Sequence, residues 1–159
     1  MSLLNFVVGD ATCPNGEGAK VIVHICNDQG GWGKGFVLAV SKRWKEPETA
    51  YRNWHRQGGS PPFELGSVQF VKVEDQIWIA NLIGQQGMGH ANGKPPIRYE
   101  AVRRGLEEVA EFALKHHASV HMPRIGCGLA GGKWDEIQPI IEQTLIAQDI
   151  AVTVYDFAT

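Results

Sequence analysis

Residues 123–132, Pro-Arg-Ile-Gly-Cys-Gly-Leu-Ala-Gly-Gly, lie between an apolar run at 118–122 that reads as a strand and an amphipathic run at 134–147 that reads as a helix. Glycines let a backbone take positive φ and approach a ligand closely. The unsatisfied N–H groups and positive dipole end of the following helix favour an anion. Residues 27–36, Asn-Asp-Gln-Gly-Gly-Trp-Gly-Lys-Gly-Phe, repeat the arrangement after a second apolar strand. Both loops leave the carboxyl end of a strand, where ligands of open α/β sheets bind. Together they suit a ligand with more than one phosphate, or a phosphate plus a sugar.

The rest of the chain supplies the sheet. Residues 4–8 and 21–26 are short strand-forming runs, and 67–73 and 76–83 are β-rich runs separated by Glu74-Asp75, which predicts an antiparallel pair. Helical spacing of Phe36, Val37, Val40 and Trp44 predicts a helix over 34–44. A second helix starts at Pro47, with Ala50, Tyr51 and Trp54 inward, and ends at the Gly- and Pro-rich residues 58–62. Residues 84–96, carrying Gln85, Gln86, Met88, His90 and Asn92, form a long irregular loop of the kind that covers a site. In 98–117 the apolar residues Val102, Leu106, Val109 and Ala113 mark the inner face of the clearest helix. Trp134, Ile137, Ile141 and Leu145 do so in 134–147, and 150–155 is the last strand. Strands alternating with helices give an α/β layered sheet with helices on both sides.

Length bounds this to one domain over residues 1–159. A formal charge of −2 gives no electrostatic reason to expect nucleic acid as a partner. The cysteines Cys13, Cys26 and Cys127 fall in no CxxC pattern, so neither a disulfide framework nor a zinc knuckle is indicated. No segment reads as a leader or a membrane span, and the expectation is a cytoplasmic monomer with no membrane partner.

Several motifs have two readings. Residues 126–131 spell G-x-G-x-x-G, with Asp149 or Asp156 downstream as ribose partners, but only one further strand follows, leaving no second mononucleotide half. Gly33-Lys34-Gly35 is not a Walker A loop, because Asp28 stands where its first glycine belongs and Gly35 replaces the magnesium-binding hydroxyl residue. Lys34 either neutralises a phosphate or is solvated. His24 is either a buried, satisfied histidine or an acid–base group beside Asn27, and Asp28 either assists it or is a solvated loop residue. Cys127 is either a reactive thiol at a helix N-terminus or simply small. The other histidines indicate no metal centre, and no cofactor is expected.

The motifs taken together resemble the macrodomain family over nearly the whole chain. The resemblance is carried by Val8-Gly9-Asp10-Ala11-Thr12, by His24-Ile25-Cys26-Asn27 running to Gly33-Lys34-Gly35-Phe36, by Met122-Pro123-Arg124-Ile125-Gly126-Cys127-Gly128-Leu129, and by Tyr155-Asp156-Phe157. It is strongest to the branch that holds a chromatin-remodeller macrodomain, the yeast ADP-ribose 1″-phosphate phosphatase and the terminal ADP-ribose protein glycohydrolase. It implies a three-layer α/β/α sandwich with a mixed six-stranded sheet, and a cleft for ADP-ribose or an ADP-ribosylated substrate.

Carried over by position, Asp10 would accept the adenine amino group with Ala11 beside it, and Phe157 would wall the adenine. Gly33, Lys34, Gly35 and Phe36 would surround the distal ribose and one phosphate. Pro123, Ile125, Gly126, Cys127, Gly128 and Leu129 would form the diphosphate loop, and Asn27 would touch the distal ribose. The implied activity is hydrolysis of a distal-ribose phosphate or ester, with Asn27 orienting water or phosphate and His24 or Asp28 as acid or base. The alternative is a non-catalytic reader of ADP-ribose. The glycohydrolase pattern has a lysine after the fourth strand and an aspartate after Leu129, whereas this chain has Gln85-Gln86 and Ala130.

Overall fold

In a computed structural model, which describes residues 3–89 and 93–157, six strands form one sheet in the order β1-β6-β5-β2-β4-β3. They are β1 Leu4–Val8, β2 Lys20–Asn27, β3 Val68–Glu74, β4 Ile77–Gln85, β5 Ser119–Met122 and β6 Val152–Asp156. All neighbours pair in parallel except β3, which returns antiparallel beside β4 as the Glu74-Asp75 turn predicts. The helices are α1 Phe36–Arg43, α2 Glu46–Gln57, α3 Tyr99–His116 and α4 Trp134–Thr144.

The central strand β2 shows how the layers arise. Its Val21 and Val23 are fully buried with α3 and α4 residues such as Val102, Leu106, Ile137 and Ile141. Ile22 and Cys26, on the opposite face, are buried with Val37, Val40, Tyr51 and Trp54 of α1 and α2. A parallel strand covered on both faces needs such a near-continuous apolar run, interrupted in β2 by His24. The result is a mixed sheet between two helical layers.

Three elements differ from the sequence reading at their ends. Helix α1 begins at Phe36, because Gly35 has φ 86°, ψ −148°, and it ends before Trp44, whose backbone is extended. Helix α4 stops at Thr144, and a 3-10 turn at Ile146–Gln148 follows, closed by Asp149 in the left-handed region. Strand β6 therefore starts two residues later than expected, at Val152. Among the described residues no helix is long and apolar enough to cross a membrane.

Because β2, β4, β5 and β6 run parallel, their carboxyl ends, Asn27, Gln85, Met122 and Asp156, reach the same edge of the sheet. Four loops leave the sheet there side by side.

Candidate functional site

A cleft of about 940 Å³ opens at that edge. Its walls are the first glycine loop with the start of α1, the second glycine loop, the end of β6, and Gln85 with Met88 after β4. Every residue of the two loops expected to meet a ligand lines it: Asn27, Gly33, Lys34, Gly35, Phe36, Pro123, Ile125, Gly126, Cys127, Gly128 and Leu129, as does Phe157. Asp10 and Ala11 do not. Ala11 is buried, and Asp10 Oδ1 accepts from Thr12 N (2.8 Å) and Thr12 Oγ1 (2.7 Å), leaving Oδ2 with no protein donor among the described residues. The long loop after β4 contributes Met88 as a third wall, while its His90 and Asn92 lie outside the described residues.

The walls are mainly apolar surface and backbone. Among the described residues, the amides of Lys34, Gly35 and Phe36, and those of Gly128, Leu129 and Ala130, donate to no protein acceptor. The first turn of α1 contains no acidic residue, so its positive end is not met from within, whereas Asp135 and Glu136 already face that end of α4. A glycine is required at position 35: its positive φ is strained for other residues, and an added Cβ would sit 3.3 Å from Leu129 Cδ1 on the opposite loop. Gly132 is required by a closer approach, since a Cβ there would lie 2.4 Å from the Gly126 carbonyl oxygen. The arrangement suits an anion held by backbone N–H groups.

The side chains named as catalytic candidates are placed differently from that expectation. His24 is 2% exposed, its Nε2 lies 2.6 Å from Asn81 Oδ1, and Trp32 and Phe36 pack on the ring. Asn81 Nδ2 in turn donates to Gln69 Oε1 and the Pro47 carbonyl, and Gln69 donates to the Ala50 carbonyl. An amide oxygen can only accept, so His24 carries its proton on Nε2. Burial lowers its pKa to about 4, against a smaller opposing effect of Asn81. His24 is thus a satisfied core histidine in the cleft's floor.

Asp28 ties two loops: its Oδ1 accepts Gly87 N at 2.8 Å, joining the first loop to the loop after β4, and it does not line the cleft. Asn27 Oδ1 accepts from Gln29 N and Gly31 N and lies 2.9 Å from the Tyr51 hydroxyl, while Nδ2 donates to the Gly31 carbonyl. One N–H of the amide is left, so Asn27 can offer a donor to the cleft but has no oxygen left to hold a water. Burial raises the Cys127 pKa, opposed more weakly by Arg124, which keeps a thiol rather than a thiolate there.

The sequence reading did not foresee the pair at the β6 end. Arg124 donates to Asp156 through Nε (2.8 Å) and Nη2 (2.9 Å), and its guanidinium lies 4.8 Å and 4.7 Å from the ring centroids of Phe6 and Trp134. The hydrogen bonds from Arg124 hold the Asp156 carboxyl below the usual range. Asp156 is the one carboxylate in the cleft lining among the described residues, and it is already paired. No group of three or more His, Cys, Asp or Glu among those residues could hold a metal ion. His117 and His121 are four apart in sequence, but one caps α3 and the other is buried in β5.

No family model matches the chain. It is 30% identical over 156 residues to the ADP-ribose glycohydrolase OARD1 of Bos taurus, covering 97% of this chain and 91% of that protein. It is 31% identical over 161 residues to Chromodomain-helicase-DNA-binding protein 1-like of Danio rerio, covering 96% of this chain but only 15% of that much longer protein. Among solved structures, a macrodomain protein from Streptomyces coelicolor superposes with a TM-score of 0.87 at 54% identity, covering 98% of this chain and 99% of that one.

Proposed function

Since this chain belongs to the macrodomain family, we propose that its cleft binds ADP-ribose and that the protein hydrolyses a group attached to the distal ribose, a 1″-phosphate or an ester. The observation that supports this best is the pair of facing glycine loops, whose unpartnered amides and α1 N-terminus offer a diphosphate fixed donors at the mouth of a cleft of about 940 Å³. Residues 1–159 act in this reading as one macrodomain unit.

The second loop, from Gly126 to Leu129, holds the diphosphate. The first loop, with Lys34 beside it, takes the neighbouring phosphate and the distal ribose, and the free Asn27 N–H donates to a ribose or phosphate oxygen. Asp10 Oδ2 accepts the adenine amino group, and Phe157 covers the ring. Catalysis rests on position and fixed dipoles, since the lining His24 is engaged by Asn81 and the lining Asp156 by Arg124: the loops hold the distal group and a water in reacting geometry, and the backbone donors stabilise the charge that develops.

The same lining supports a second reading, a reader that binds ADP-ribose without turnover, because Gln85-Gln86 and Ala130 stand where the glycohydrolase pattern has its lysine and aspartate. Incubation with ADP-ribose 1″-phosphate and with a glutamate-ADP-ribosylated protein separates the two. Release of phosphate or ADP-ribose above the rate of a Gly35→Val control is the expected result. Binding with no release from either substrate establishes the reader.

A further inference from the structure

We propose that Tyr51, which lies behind the first loop and outside the cleft, is the positioning residue that fixes that loop for its ligand, an inference that rests on the ADP-ribose reading for its functional half. Tyr51 is fully buried on α2. Its hydroxyl donates to the Asn27 carbonyl at 2.5 Å, lies 2.9 Å from Asn27 Oδ1 and accepts the Gly30 N–H at 3.2 Å. One hydroxyl therefore closes both ends of the turn from which residues 33–36 continue. The neighbouring Arg52 donates from Nη1 to the Gly30 carbonyl at 3.0 Å and is itself held by Glu48 at 2.9 Å. The other Glu48 oxygen accepts from Ser41 Oγ, which accepts the Trp32 indole N–H at 2.7 Å. Helix α2 thus grips the loop at Asn27, at Gly30 and, through Ser41 of α1, at Trp32.

The grip is built to be permanent. Burial raises the Tyr51 pKa far above any working pH, so the phenol remains a donor. The ring packs on Trp32 and Phe63 at centroid distances of 5.4 and 5.7 Å, so Tyr51→Phe keeps the packing and deletes only the hydrogen bonds. A buried N–H or C=O that loses its partner relaxes by moving toward water. Here that motion would displace the amides of residues 34–36 from the anion. Apart from the one N–H left to the cleft, the side chain of Asn27 is bonded in the same node, so the two residues work as one unit.

Amide hydrogen exchange on the ligand-free protein and calorimetric ADP-ribose titration, applied to wild type, Tyr51→Phe, Asn27→Ala and the double variant, test this. Exchange over residues 28–31, whose amides are hydrogen-bonded in the turn, is expected to accelerate about tenfold in Tyr51→Phe while β5 stays protected, and Kd to rise about tenfold. The double variant is expected to bind no more than about twofold more weakly than Asn27→Ala alone. Unchanged exchange overturns the proposal, as does raised exchange with unchanged Kd, or additive losses in the double variant. If wild type gives no binding, the ADP-ribose reading fails and exchange alone judges the grip. Should Tyr51→Phe not fold, Arg52→Ala, whose side chain is 42% exposed, is read with the same expected signs.

Discussion

Histidines 24 and 121 are each 2% exposed and each held neutral by their surroundings, and this makes acid stability a residue-scale property. The His121 ring joins Ser119 Oγ and the Tyr155 hydroxyl at 2.7 Å each, and the latter accepts Asn15 N. Burial first, and then the charge of Lys20, lowers its pKa to about 4, the same value that burial gives His24. Above the ordinary value of 6.5 the rings are neutral in both the folded and unfolded chain. As pH falls from 6.5 toward 4, the unfolded chain takes up protons that the fold refuses, so stability declines across that window. Each ring contributes up to about 3 kcal/mol to this loss. Urea unfolding at steps of pH is expected to show a shallower decline for His24→Gln or His121→Asn than for wild type, and equal slopes would contradict the assignment. The sequence leaves His24 open between a core residue and an acid–base group, since an alternating strand pattern says which residues share a face but not what closes over them. The deciding partner, Asn81, is 57 residues away.

At the scale of elements, periodicity carried the most information where a helix packs along its whole length. Val102, Leu106, Val109 and Ala113 of α3 are all buried as their spacing requires. Gly105 on the same helix was invisible to that pattern, yet it sets how closely α3 meets the sheet: a Cβ there would lie 2.3 Å from Leu82 Cγ in β4. A helix-interior glycine costs roughly 1 kcal/mol against alanine, and here that cost permits contact. Gly105→Val is expected to destabilise by about 3 kcal/mol, at the upper end of overpacking penalties, read as a lower urea midpoint with an unchanged slope. A stability within experimental error of wild type would contradict the packing. The glycine loops were legible because a strand–loop–helix junction rich in glycine has few other uses. The grip of α2 on the first loop was not, because Tyr51 reads from spacing as one more inward aromatic, and the hydroxyl that matters has its partners 21 and 24 residues earlier.

For the whole molecule, sheet order is what assembles the site. Alternating strands and helices announce a layered fold, but nothing local says that β5 lies between β2 and β6, and that placement is what brings the two glycine loops face to face. The Arg124–Asp156 pair, spanning 32 residues, became visible only with that order. The cleft's donors are then backbone groups of loops held by three separate anchors, the α2 grip, the Asp28–Gly87 tie and the Arg124–Asp156 pair. A cleft of this kind gains its affinity from preorganisation rather than from charge. The most direct measurement is calorimetric titration of the protein with ADP-ribose, run beside Gly35→Val, which reshapes the point where the loops meet. Saturable binding at one site per chain, lost or weakened at least about tenfold in a Gly35→Val protein that still unfolds cooperatively, is the predicted result. Absence of binding to wild type, or equal affinity in the two proteins, would contradict it.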